Sequence, residues 1–142
     1  MALLTPLPMP AMLLISIVIA AVLVYAPFIV VGVARLQMGY DMSAPRTMTT
    51  KMPPYAQRAN WAHQNSFESL ALYAPAALMA YVTGQASTVA LGAAIAYVIA
   101  RLLYSVFYIL DVPFLRSAMF AMGSLGIYTL FFLSCRSALS LG

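Results

Sequence analysis

The sequence predicts an all-α integral membrane protein: a single domain, residues 1–142, folded as an up-down bundle of four transmembrane helices. Two observations carry that reading. Of the 142 residues, 64% are hydrophobic and 7% charged, whereas a soluble domain holds about 45–50% apolar and about 25% charged residues. The apolar residues also gather into four runs. A bilayer core takes about 20 apolar residues per helix, so four spans with short connections use nearly the whole chain. The charged residues stand singly, mostly at the ends of runs. The net charge of +4 is therefore the signature of an oriented membrane protein, not of a nucleic-acid partner. The lone Cys135 has no disulfide partner, and with one histidine in the chain no metal site is expected.

Each element follows from its own run. Met1 to Pro10 is apolar but broken by Pro6, Pro8 and Pro10. Ala11 to Ala34 is an uninterrupted apolar stretch closed by Arg35. It lacks a basic start and exceeds the apolar core of about 7–15 residues of a signal peptide, so it reads as a retained first span, kinked at Pro27. Gln37 to Gln57 is the one long polar stretch, with Asp41, Arg46, Lys51 and three prolines (Pro45, Pro53, Pro54). It reads as a water-facing loop, and connections longer than about 12–15 residues are usually functional or mobile. The second helix runs from Ala56 to Val82 and ends in the uncharged turn Thr83-Gly84-Gln85. The third runs from Ser87 to Leu110, with Arg101 well inside it. Asp111-Val112-Pro113 reads as a helix start, the aspartate capping and the proline in the first turn. The fourth helix then runs from Pro113 to Arg136.

Lysine and arginine in the connections set the orientation. Arg35, Arg46, Lys51 and Arg58 flank the first connection and Arg116 follows the third, while the second has none. The first and third connections are therefore placed in the cytoplasm and both termini outside it. The short connections favour a bacterial plasma membrane.

Polar residues inside the runs mark the candidate site. An ion at the centre of a membrane helix costs about 2.5–3.5 kcal/mol on insertion scales, yet the second helix opens with Arg58-Ala-Asn-Trp-Ala-His-Gln-Asn-Ser-Phe-Glu68. At about 1.5 Å per residue, Glu68 lies about 15 Å in from Arg58, and Arg101 about 15 Å in from Asp111 on the same side. Arg58, Asn65 and Glu68 share one face of the second helix, and Arg101, Tyr104 and Tyr108 one face of the third. Facing each other, they would form a polar pocket open to the cytoplasmic side. The plainer alternatives are a Glu68–Arg101 pair locking two helices, His63 as a helix-packing hydrogen bonder, Trp61 as an interfacial anchor, and Arg46, Lys51 and Arg136 as solvated or headgroup charges. One ion pair would not need so many converging polar groups.

These residues resemble a known superfamily. Arg58-(x)3-Ala62-His63-Gln64-Asn65-Ser66-Phe67-Glu68 is similar to the second-helix signature of the membrane-associated proteins in eicosanoid and glutathione metabolism (MAPEG), the microsomal glutathione transferase superfamily. Ala100-Arg101-(x)2-Tyr104-(x)3-Tyr108 resembles the third helix of its leukotriene-synthase-like members, and Pro113-Phe114-Leu115-Arg116-Ser117 the basic segment after it. Arg35 stands where the superfamily has an arginine, and the resemblance spans the chain in length and span order. Many members carry a further arginine where Trp61 or Gln64 stands, and a proline soon after the glutamate, whereas the first proline here is Pro75.

The resemblance implies a homotrimer with glutathione between subunits near the cytosolic face. Asn65 and Glu68 would hold the γ-glutamyl end, Arg101 would support Glu68 and contact the peptide, and Tyr104 and Tyr108 would line the pocket. Arg58 would join this set, with His63, Gln64 and Ser117 at its margin. Arg35 would reach a glutathione carboxylate from the adjacent subunit, and Arg116 would stand near the thiol as the catalytic residue. The residue types suit the ligand: two carboxylates and one ammonium need guanidinium forks and one acid. A thiol of pKa about 8.5 is activated by a nearby cation or a helix N-terminus, and Arg116 in the first turn of the fourth helix offers both. The expected activity is conjugation of a lipophilic electrophile entering from the lipid, or reduction of a lipid hydroperoxide. A non-catalytic lipid- or thiol-binding protein and a structural or transport bundle are the other two classes.

Overall fold

The structure is a computed structural model that describes residues 8–140, and every regular element among them is helical. Four long helices, α1 (Met9–Gln37), α2 (Pro54–Val82), α3 (Thr88–Ile109) and α4 (Pro113–Ser140), are joined by short turns and by one 3-10 helix, Pro45–Lys51, between α1 and α2. α1 packs on α2 and α3, α3 on α4, and α2 touches all three. Met1 to Leu7, including Pro6, lie outside the described residues. Pro8 occupies the N-cap position of α1, and Pro27 is buried within that helix.

α1, α3 and α4 are long and apolar enough to cross a membrane. α2 matches α1 in length at 29 residues but falls short in apolarity. Its N-terminal half carries Arg58, Asn60, His63, Gln64, Asn65 and Glu68, a composition tolerated at membrane depth where the polar groups meet protein partners. The outer faces of the other helices are apolar: Val18, Val22 and Ile29 on α1 and Leu125 and Phe132 on α4 are exposed.

Small residues let the backbones approach, as is usual where lipid removes the hydrophobic drive between helices. Ala56, Ala59 and Ala62 are fully buried on α2, as are Ala90 and Ala100 on α3. At the α3–α4 crossing, a Cβ on Gly126 would stand 2.8 Å from the carbonyl oxygen of Ala93. Deeper in the core the Tyr73 and Tyr97 rings stack in parallel, 3.6 Å between centroids and 4° between planes. Ser16 Oγ donates to the Leu13 carbonyl at 2.6 Å, so the Tyr73 hydroxyl donates to Ser16. Tyr97 and Ser69 share a hydrogen bond of 3.0 Å. Tyr73 and Tyr97 are the largest fully buried side chains.

The turns explain two departures from expectation. α2 ends as a Schellman motif: Gln85 N donates to Ala80 O at 2.9 Å and Gly84 N to Tyr81 O at 3.1 Å, with Gly84 at φ +67°. α3 ends the same way, with Val112 N donating to Phe107 O at 2.9 Å and Asp111 N to Tyr108 O at 3.3 Å. Asp111 holds the left-handed position at φ +60°. It therefore closes α3 instead of capping α4, because aspartate tolerates that conformation better than most non-glycine residues. The long connection is also ordered. Asp41 Oδ1 accepts from Ser43 N at 2.9 Å, Ser43 Oγ at 2.7 Å and Ala44 N at 3.3 Å. Met48 of the 3-10 helix is buried, its sulfur accepting from Asp41 N at 3.3 Å. α2 then starts at Pro54, slightly earlier than expected, since proline fits a first helical turn.

Candidate functional site

α2 and α3 run antiparallel, in contact at Arg58–Ile109, Asn65–Arg101 and Ser69–Tyr97. That register aligns the polar residues of α2 with those of α3. The Arg101 side chain is 4% exposed. Its Nη2 donates to Asn65 Oδ1 at 3.1 Å and to Ser66 Oγ at 2.9 Å. Asn65 Nδ2 in turn donates to Glu68 Oε2 at 3.5 Å. The Arg101 guanidinium lies 4.2 Å from the centroid of the Tyr104 ring. Tyr104 meets Tyr108 edge to face at 5.5 Å, and the Arg116 guanidinium lies 4.6 Å from the Tyr108 centroid.

Six of the expected residues thus form one continuous row: Glu68, Asn65, Arg101, Tyr104, Tyr108, Arg116. The row offers one carboxylate at one end, a buried guanidinium in the middle and a second guanidinium at the other end. Arg101 Nε is buried without a hydrogen-bond partner among the described residues. A zwitterionic peptide with excess negative charge is the kind of molecule such a row can hold, its ammonium toward Glu68 and its anionic groups toward the arginines.

Several expected residues stand elsewhere. Glu68 is exposed and meets Arg101 only through Asn65, so the direct Glu68–Arg101 pair does not form. It lies most of a turn further along α2 than the residues Arg101 reaches. Ser66, part of the recognised signature but given no role, takes one of the two hydrogen bonds of Arg101; the short step from Asn65 to Ser66 on a helix facing an arginine is the signal that could have found it. Arg58 is not in the row. Its Nε donates to the Ile109 carbonyl at 3.1 Å and its Nη1 lies 3.7 Å from Asp111 Oδ2. It is committed to the C-terminus of α3, whose last carbonyls need donors. His63 Nδ1 donates to the Val24 carbonyl at 2.7 Å and packs among Tyr25, Phe28 and Phe67, which makes it an α1–α2 fastener. Ser117 is exposed beside Arg116 on α4.

Arg35 and Gln64 lie in a separate cleft of about 860 Å³ between α1, the 3-10 helix and α2, which Arg46 and Trp61 also line. None of the six row residues lines it. Arg35 is 8% exposed, and its Nε is buried without a partner. Trp61 stands between the two regions: it lines the cleft, and its ring lies 6.5 Å from that of Tyr108.

The MAPEG family model matches residues 12–136 of the chain. No curated protein and no solved structure matches it.

Proposed function

The chain belongs to the MAPEG family, and from that premise we propose that it is a membrane-bound glutathione-dependent transferase or peroxidase acting on lipophilic electrophiles. The family match supports a membrane protein of the glutathione and eicosanoid metabolism type. The observation that carries the finer reading is the unbroken row from Glu68 to Arg116.

In this reading the γ-glutamyl ammonium meets Glu68 and Asn65, and Arg101, which holds Asn65, contacts the peptide. Tyr104 and Tyr108 flank the backbone of the tripeptide, and the cysteinyl sulfur lies by Arg116. The Arg116 cation, in the first turn of α4 where the helix dipole also favours anions, stabilises the thiolate over the thiol. The thiolate attacks an electrophilic carbon of a substrate that arrives through the lipid. A C–S bond forms, and the leaving group departs with the bonding pair. With a lipid hydroperoxide, one thiolate attacks the terminal oxygen and releases the lipid alkoxide, which is protonated to the alcohol. A second glutathione displaces hydroxide from the sulfenic acid, giving glutathione disulfide and water.

Arg35 belongs to the same site only if a neighbouring copy supplies it, because its cleft and the row share no residue. The family resemblance implies such an arrangement, a homotrimer of four-span bundles, in which a neighbouring copy's Arg35 would complete the site. The orientation proposed is that of a bacterial plasma membrane protein, with the first and third connections and the mouth of the site in the cytoplasm.

Two measurements test the proposal. Glutathione at 100-fold excess over its dissociation constant adds about 2.7 kcal/mol of stability to a protein that binds it, which a thermal shift in detergent detects. Arg116→Ala should then abolish conjugation of an aromatic halide while glutathione binding largely survives. Unchanged turnover removes Arg116 from the mechanism, and binding without turnover in the unaltered protein identifies a non-catalytic lipid- or thiol-presenting member.

A further inference from the structure

We infer that the cleft between α1, the 3-10 helix and α2 is an oxyanion site in which Arg46 acts together with Arg35. Four observations lead there. Arg35 is more than nine-tenths buried, lines a cleft of about 860 Å³, and its Nε is buried without a partner among the described residues. A desolvated guanidinium without a counter-ion is costly unless an anion completes it. Among the described residues no aspartate or glutamate lines the cleft, whereas a second arginine, Arg46, does. Asn60, Gln64 and Thr49 in the lining supply amide and hydroxyl donors, beside Tyr40 and His63.

Arg46 is placed there by construction. It is the second residue of the 3-10 helix. The Asp41 carboxylate gathers three donors at the entry to that helix. Thr47 Oγ1 donates to the Ala44 carbonyl at 2.8 Å, and the buried Met48 pins the helix to the protein. A loop built this firmly holds its arginine over the cleft before any ligand arrives, which lowers the ordering cost of binding. Arg46, which the sequence suggested was a solvated or headgroup charge, becomes a residue of a defined binding site. Two guanidiniums accept a carboxylate or a phosphate by the same forked hydrogen bonding. The oxyanion therefore belongs to a small anionic molecule: a glutathione carboxylate in a neighbouring copy's site, which rests on the function proposed above, or the headgroup phosphate of an anionic lipid, which does not.

Arg46 is exposed, so Arg46→Ala leaves folding intact, and Arg46→Lys keeps the charge without the fork. Full-length protein in phosphatidylcholine nanodiscs is titrated with glutathione and with its glycyl monoethyl ester by calorimetry. The same variants are melted in discs with and without phosphatidylglycerol. Arg136→Ala, at the far end of α4, serves as the control for net charge. If the oxyanion is from glutathione, Arg46→Ala raises the glutathione dissociation constant about tenfold, the value of one charge-assisted hydrogen bond. Arg46→Lys recovers part of it, and the effect shrinks for the monoethyl ester if the glycyl carboxylate is the one held. If the oxyanion is a headgroup, phosphatidylglycerol raises the melting temperature of the unaltered protein and of Arg136→Ala but not of Arg46→Ala. That result stands even if the protein binds no glutathione, so loss of the proposed function and loss of this site are told apart. If Arg46→Ala and Arg35→Lys both match the unaltered protein in each titration and each melt, the site does not exist.

Discussion

Replacing Arg101 with methionine separates an arginine kept for ligand binding from one kept for helix packing. The substitution removes two hydrogen bonds, at 3.1 Å to Asn65 and 2.9 Å to Ser66, and the stack on Tyr104 at 4.2 Å. Side-chain hydrogen bonds between membrane helices average about 0.6 kcal/mol, and a desolvated cation–π contact contributes about 2 kcal/mol, so about 3 kcal/mol is lost. Against this, burying an arginine at the centre of a membrane helix costs about 2.5–3.5 kcal/mol on insertion scales, and methionine removes that cost. Ser66 can return its hydroxyl to a carbonyl of its own helix. The two sums cancel to about 1 kcal/mol, so Arg101→Met is expected to fold with little change in stability. Its glutathione affinity should nevertheless fall about tenfold to a hundredfold, since hydrogen bonds to a charged group contribute about 1.5–3 kcal/mol. Reversible unfolding in mixed micelles gives the first quantity and calorimetry on the folded protein the second. A stability loss above about 3 kcal/mol with binding of the folded fraction unchanged would show that Arg101 is a helix fastener and that the row is not a ligand site.

Other perturbations test the supporting structure. Gly126→Ala places a methyl 2.8 Å from the Ala93 carbonyl and should cost about 1–3 kcal/mol by forcing α3 and α4 apart; Gly123→Ala, whose nearest neighbours are side-chain atoms at 3.7 Å or more, should be nearly neutral in the same melt. Asp111→Gly relieves a left-handed aspartate but loses its contact with Arg58, so its stability should change little. Arg58→Ala should cost more than Asp111→Gly, because it also leaves the Ile109 carbonyl without its donor; equal costs in a double-mutant cycle would assign the whole effect to the ion pair. The Asp41 carboxyl is held below its ordinary value, first by the Ser43 hydroxyl and then by the Ser43 backbone N–H. Its folded pKa is lowered, so the stability it gives the loop is present above the ordinary carboxylate range and is lost as pH falls through the folded value. Exchange protection of the Ser43 and Ala44 amides should decline over that acidic window in the unaltered protein and be weak at every pH in Asp41→Ala.

Helix identity was legible because apolar runs of membrane length permit few other structures. The polar row was legible because charges and amides at helical spacing in apolar runs have few places to go. Partner choice within the row was harder to read. Depth along α2 and α3 brings Glu68 and Arg101 together on paper, but a difference of less than one turn hands Arg101 to Asn65 and Ser66. Arg58 shares a helical face with Asn65, yet its long side chain reaches along α3 to the carbonyls at its end. Asp111 before a proline has the composition of a cap; only the hydrogen bonds of the preceding helix end show that its backbone was already committed. The ordered loop depended on Asp41 and Met48 meeting across a turn, a tertiary contact with no periodicity to announce it.

The single tryptophan gives the molecule an intrinsic optical probe. Trp61 borders the Arg35–Arg46 cleft on one side and approaches Tyr108 on the other. An anion entering the cleft and a peptide lying along the tyrosines would each alter the polarity and quenching of the same indole. Its emission can therefore follow the filling of either region without an added label, and the Arg46 and Arg101 variants would show which region produced the change.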